Sequence, residues 1–388
     1  MRDAWEKHLT RWLGAGLMDA GTAERIRAFE VSSSEGQKLR WPVLVAISLG
    51  GLLLAAGVLL FVAAHWDDLS PGWRFTLVLL LVAVFHAGGA LVSERFGVLA
   101  TTLHAVGTAA LGPGIFLAGQ IFNLQEHWPG ALMLWALGAW AGWWLRRDWV
   151  QATFVALLTP GWLLGEWAVA TEFMHGRSLI PAEFTLLLAI TYLTARVGSD
   201  VSAVRKALVW IGGIAIIPAT LVLIESREFW TEGEPLVPAW LRLIGWTGTI
   251  GLPLALAYWL RRRNAWLNVL AALWVVVLGT MATVEPLQAG QGVSGAAYFW
   301  YRVAPYLWCA VGSVALVAWG LYEERRERIN LGFIGFAITV LSFYFSNVMD
   351  KLGRSASMIG LGLLFLLGGW WLEKTRRRLV ARMQVVKR

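Results

Sequence analysis

Apolar residues in this chain gather into twelve long runs, each broken off by a short polar connection. The runs fall at about 42–64, 73–92, 98–122, 129–145, 149–170, 179–195, 207–224, 239–260, 265–284, 303–322, 331–348 and 358–372. A hydrocarbon layer of about 30 Å takes about 20 helical residues to cross, and a soluble chain has no use for a dozen such runs. The pattern predicts an all-α, polytopic helical membrane protein with twelve transmembrane helices. An amphipathic segment at 1–40 precedes a bundle at 41–372, and a basic tail follows at 373–388. The fourth and last runs are the weakest spans, and the long connection from Glu285 to Arg302 is a candidate to re-enter the membrane.

Twelve spans force the connections to alternate sides, which lets charge test the count. One side collects the N-terminal segment, Arg95, Arg146–Arg147, Arg196 with Arg205–Lys206, Arg261–Arg263, Arg325–Arg328 and the tail. Together these hold 26 of the 33 Lys and Arg residues. Basic loops stay on the cytosolic side, so both termini are expected in the cytosol. A missed or invented span would scatter basic loops over both sides from that point on.

Composition agrees. The hydrophobic fraction is 57% and the charged fraction 15%, where soluble domains carry about 25% charged residues. The net charge of +8 lies on loops and tails beside the spans, so it reads as a topology signal and nucleic-acid binding is not expected. One cysteine, Cys309, inside an apolar run, gives neither a disulfide framework nor a thiolate metal site within one chain. The first 40 residues lack a charged-then-apolar leader with a small-residue cleavage site, so the first span is expected to serve as its own insertion signal. Many of the 25 tryptophans lie at expected span ends, among them Trp41, Trp66, Trp73, Trp128, Trp149, Trp240, Trp259, Trp266, Trp370 and Trp371. Indole has an apolar body and a polar N–H, which suits headgroup depth.

In the N-terminal segment Trp5, Leu9, Trp12 and Leu13 share one face of a short helix, ended by Gly14 and Gly16. A second helix is expected to start near Thr22, with Ala23, Ile26 and Phe29 along its face, before a linker at Ser32-Ser33-Ser34. About 30 residues cannot build an independent core, so this segment is expected to lie on the membrane surface or to dock a membrane-protein partner.

Ionisable groups within hydrocarbon are costly, so each invites a functional reading. His86 and His104 lie at one depth on adjacent antiparallel spans and form a candidate proton-sensing pair, since histidine titrates near neutrality. The alternative is two neutral imidazoles bonded to helix neighbours. A second set falls at the outer level: His65, Asp67, Asp68, Gln120, Glu126, His127, Glu166, Glu183 and Arg242. If these converge they form an outward polar pocket and a substrate pathway. If they do not, they are separate side chains reaching the interface. Two histidines alone, or His65 with Asp67 and Asp68, do not amount to a metal site, and no metal or cofactor is expected. Gly112-Pro113-Gly114 predicts a kink or break in the third span. Gly138 and Gly142, four apart, allow close helix contact in the fourth.

Several stretches resemble one known family. Gly50 to Arg74 runs from an apolar span with a Gly-Val-hydrophobic-Phe core into Ala64-His65-Trp66-Asp67. Trp12-Leu13-Gly14-Ala15-Gly16-Leu17-Met18, Gly119-Gln120-Ile121-Phe122, and Gly360 to Leu372 followed by Glu373 to Arg378 supply three further pieces. Together these resemble the bacterial membrane-protein family designated domain of unknown function 2157, with His65 standing where that family more often has Asn. The resemblance implies a multi-pass protein of the bacterial inner membrane and brings no activity with it.

No phosphate loop, H-E-x-x-H helix, C-x-x-C pair or nucleophile elbow occurs, and the loops are too short for a catalytic domain. No enzymatic reaction is therefore assigned. Two readings stay open. One is a transporter or flippase of a small solute or lipid-like molecule, which predicts a connected cavity. The other is a non-catalytic envelope scaffold for another membrane protein, which predicts a filled bundle with an exposed groove.

Overall fold

The computed structural model describes residues 11–37, 69–122, 127–172, 179–198, 202–225, 237–283 and 295–347, with isolated positions between 9 and 60 and between 359 and 374. All described elements are helical. They are α1 (Ala20–Gln37), α2 (Pro71–Val92), α3 (Gly97–Ile121), α4 (Trp128–Arg146), α5 (Trp149–Ala170) and α6 (Ile180–Leu193). Then come α7 (Ala203–Glu225), α8 (Ala239–Arg261), a 3-10 turn (Arg262–Ala265), α9 (Trp266–Thr283), α10 (Gly295–Tyr322) and α11 (Arg326–Asn347).

Local chemistry sets several starts. Pro71, Pro129 and Pro181 occupy the first helical positions of α2, α4 and α6, where a missing N–H does no harm. Ser70 and Asp148 accept the N–H of Trp73 and Gln151 as N-caps of α2 and α5. Ten of the twelve expected runs carry described helices, several with ends within two residues. The first and last, 42–64 and 358–372, fall mostly outside the described residues.

Three expectations change. α1 begins after Asp19, which caps Thr22 N–H at 3.0 Å, and continues through Ser32–Ser34 to Gln37, so the serines are helical and do not form a linker. Serine is only mildly unfavourable inside a helix, and nothing else there breaks one. Gly16 does end the preceding turn, at φ +67, with Leu17 N–H returning to Trp12 O. α10 starts at Gly295, so part of the connection read as 285–302 is helix. The sixth run is a helix of 14 residues, about 21 Å long, too short to cross hydrocarbon alone.

Among the described residues, seven helices are long and apolar enough to span a membrane: Pro71–Val92, Gly97–Ile121, Trp149–Ala170, Ala203–Ile224, Ala239–Arg261, Arg302–Tyr322 and Arg326–Ser346. At most a third of each span's most apolar stretch is buried inside the protein. Their outer faces show large apolar side chains such as Leu80, Leu91, Ile214, Val222 and Val314, as expected where lipid is the solvent. Trp73, Trp128, Trp149, Trp240, Trp259 and Trp266 are exposed at helix ends, the position of interfacial anchors.

Packing divides the chain into two units, 1–107 and 108–388, with the boundary inside α3. In the first unit, α2 and the early part of α3 interlock. In the second, α4 pairs with α5, α10 pairs with α11, and α6 packs against α5, α7, α8 and α9. Eleven of the fourteen α6 residues are buried. One face (Leu186, Leu187, Ile190) meets Leu223, Val275, Leu278 and Cys309, and the other (Phe184, Leu188, Tyr192) meets Ala156, Leu208 and Leu260. A helix apolar on all sides is a core element.

Candidate functional site: an apolar cavity beside a buried charge cluster

The C-terminal end of α6 carries the densest polar network described. Its last carbonyls lie in the interior and need donors. Arg261, from the end of α8, donates to Thr194 O, and Arg328, in the first turn of α11, donates to Arg196 O at 3.2 Å. Arg205 of α7 reaches Ala195 O at 3.2 Å, and Asn268 Nδ2 reaches Thr194 Oγ1 at 3.0 Å. Cations on a helix C-terminus also complement its dipole. The basic connections after α6, α8 and α10 therefore meet at one end of this unit.

Glu323, just beyond α10, binds both arginines. It pairs with Arg261, and with Arg328 at 2.8 Å, while Trp319 Nε1 donates to it at 2.7 Å. The side chains of Arg261 and Arg328 are 0% and 1% exposed, and both guanidinium groups lie over the Trp319 ring, 5.2 and 5.4 Å from its centroid. Burial works against the Glu323 carboxylate, but the charge of Arg328 and the hydrogen bonds from Arg261, Trp319 and Arg328 outweigh it and hold its pKa below the usual carboxylate value. The cluster is left with donor capacity: among the described residues, the Nε–H groups of Arg196, Arg261, Arg325 and Arg328 are buried without a hydrogen-bond partner.

Trp319 also belongs to a cavity of about 460 Å³ between α7, α9, α10 and α11. The wall is almost wholly apolar, with Ile216, Leu270, Trp274, Leu316 and Ile338 among its side chains and Thr220, Ser313, Tyr322 and Thr339 as its hydroxyl-bearing residues. Trp274 and Trp308 lock α9 to α10 by reciprocal bonds, each indole N–H donating to the other's carbonyl at 3.0 Å. Gly312 makes this contact possible, since a Cβ there would overlap the Trp274 ring.

The residues expected at the outer level do not form one pocket among those described. Glu166, on α5, takes hydrogen bonds from His127 (2.9 Å) and from Trp162 Nε1 (2.8 Å). It lines a smaller cavity of about 250 Å³ with Trp167, Pro181, Gly245 and Thr249. Glu183 lies on α6, 1% exposed, its carboxyl seated over Gly279 of α9, where a Cβ would overlap Oε1. Arg242 is exposed in the first turn of α8. Neither Glu183 nor Arg242 forms an ion pair among the described residues. Gln120 is exposed in the last turn of α3. His65, Asp67, Asp68 and Glu126 lie outside the described residues.

In the first unit, His86 and His104 do face each other, with Nδ1 to Nδ1 at 2.9 Å. Each ring sits in a glycine notch of the opposite helix: a Cβ at Gly107 would come within 2.8 Å of His86, and one at Gly89 within 2.8 Å of His104. One Nδ1 must donate and the other accept, so the contact requires at least one imidazole without a proton on Nδ1. α3 runs unbroken through Gly112-Pro113-Gly114. Gly112 leaves room for the Trp135 ring, whose indole N–H donates to Thr108 O at 2.7 Å. Gly138 likewise admits Leu111, and Gly142 admits Gln151. No group of three or more metal-ligating side chains occurs among the described residues.

The charge cluster was missed from sequence because its arginines read as topology signals. The available cue was local: Glu323 follows Trp319 by four residues and stands among Arg325, Arg326 and Arg328.

Long apolar helices, lipid-facing side chains and interfacial tryptophans define a polytopic helical membrane protein. Residues 10–151 match the family described as "Predicted membrane protein (DUF2157)". The match covers α1 to α4 and stops short of the cavity. No curated protein and no solved structure matches the chain.

Proposed function

We propose that this protein binds an anionic, lipid-like amphiphile and moves it between leaflets of the bacterial inner membrane, both termini facing the cytosol. The observation that carries this reading is the apolar cavity sharing Trp319 with a buried cluster whose arginines keep unused N–H donors. An apolar chain gains by filling such a wall, and an anionic head at the arginine end would meet the free guanidinium donors. A water-soluble substrate fits less well, since the wall offers only scattered hydroxyls. A lipid also enters such a cavity sideways from the bilayer, without an aqueous path.

The test is to purify the full chain, identify retained lipids by native mass spectrometry, and follow a fluorescent anionic lipid in reconstituted vesicles. Ala315, a small residue of the cavity wall, is replaced by Trp to occupy the space. The expected result is a retained anionic lipid and lipid movement, both lost in Ala315→Trp. Lipid-free protein with no movement would remove the reading and leave the scaffold alternative.

A further inference from the structure

The carboxyl of Glu183 has no role in the lipid-binding reading, and its surroundings are unusual. It is one turn into α6, 1% exposed, and packed into the space left by Gly279. Among the described residues, Oε2 has no hydrogen-bond partner, and it is buried. Charged groups on its own and packed helices are engaged elsewhere or point outward. Glu166 of α5 is bonded to His127 and Trp162. On α7, Arg205 caps the far end of α6 and Lys206 is exposed, while the Glu225 side chain lies outside the described residues. On α8, Arg242 and Tyr258 are exposed and Arg261 belongs to the far-end cluster. α9 has no titratable side chain. Tyr192 of α6 itself is nine residues away and donates to Ala156 O.

An ionised carboxylate in that seat would have neither counter-ion nor donor, in a bundle surrounded by lipid. A neutral acid needs no counter-ion and carries its own O–H. We propose that Glu183 is an exchangeable proton-binding site. It holds a proton as the neutral acid while seated against Gly279, and releases it to water only as the side chain leaves that seat. Proton loss creates a charge the seat cannot hold, so occupancy of the site is coupled to the α6–α9 contact. The ligand is the proton itself.

The test uses the full chain reconstituted in lipid, wild type against Glu183→Gln. Infrared difference spectra in H2O and D2O are expected to show a protonated carboxyl band in the wild type that shifts in D2O and is missing from Glu183→Gln. A hydrophobic carbodiimide, which attacks protonated carboxyls, needs no variant. Labelling of the Glu183 peptide, read by mass spectrometry from about pH 5 to about pH 9, should fall about tenfold per pH unit above the titration point. An unlabelled Glu183, labelling indifferent to pH, or a carboxyl band that does not exchange in D2O would overturn the proposal. Suppression of labelling by sodium at fixed pH would also overturn it, in favour of a cation site. Neither readout depends on a bound lipid, so this proposal and the lipid reading fail separately.

Discussion

Glu323 is the shared counter-ion of two guanidinium groups that solvent does not reach, so its removal should weigh more than the loss of two surface ion pairs. Glu323→Gln leaves Arg261 and Arg328 buried with no counter-charge, and loss of one partner from a buried ion cluster costs about 3–5 kcal/mol. A clear drop in thermal midpoint in detergent is expected. Because the folded pKa of Glu323 is depressed, its contribution is complete above the ordinary carboxylate range and is lost as pH falls through the lowered value. The acid limb of the stability curve should therefore flatten in Glu323→Gln, and an unchanged limb would contradict the assignment. The histidine pair gives a second test. Gly107→Ala puts a methyl group within 2.8 Å of the His86 ring, and overpacking of this kind costs about 1–3 kcal/mol. Adding His86→Ala should recover part of that loss, and a double-mutant cycle on thermal midpoints measures the coupling. At this scale sequence was a partial guide. Equal depth on neighbouring helices made a meeting of His86 and His104 possible, and the structure supplies the contact. The seat of Glu183 did not, because Gly279 lies 96 residues away and a lone glycine carries no sign of its neighbour.

Among the elements, α6 organises the second unit. Its closest neighbour is α7, where a Cβ at Gly212 would overlap the backbone of Ala189 and Leu193. Backbone cannot rotate aside as a side chain can, so Gly212→Ala should force the two helices apart and lower stability by at least the overpacking range of about 1–3 kcal/mol. Gly161, in α5, has nothing within 4 Å of its added Cβ. There Gly→Ala should be neutral or stabilising by up to about 1 kcal/mol, since alanine is the better helix former. Equal effects on thermal midpoint would contradict this packing. Hydropathy found α6 but not its burial, because an apolar run facing protein looks the same as one facing lipid. Length was the only clue, and the apparent run was prolonged by Thr194 and Ala195, which lie beyond the helix. The extension of α10 back to Gly295 was missed for a related reason: its first turns precede the apolar run used to set the boundary.

At the scale of the whole molecule, lipid is the solvent and the proposed orientation sets the arginine-rich end in the cytosol. The first was plain in the twelve apolar runs, and the second rests on where the basic residues fall. What the sequence left out was the cavity, which is made by four helices whose small residues and indoles meet only in three dimensions. Cys309, the single cysteine, is buried, so the native chain gives a silent background for thiol labelling. The decisive measurement is labelling of intact cells with a membrane-impermeant thiol reagent, using three variants that each carry one exposed cysteine. Glu172→Cys, just after α5, should react from outside, whereas Lys206→Cys and Glu324→Cys, at the arginine-rich end, should react only after the membrane is opened. Reaction of Lys206→Cys or Glu324→Cys in intact cells, with Glu172→Cys protected, would contradict the orientation and the lipid route drawn from it.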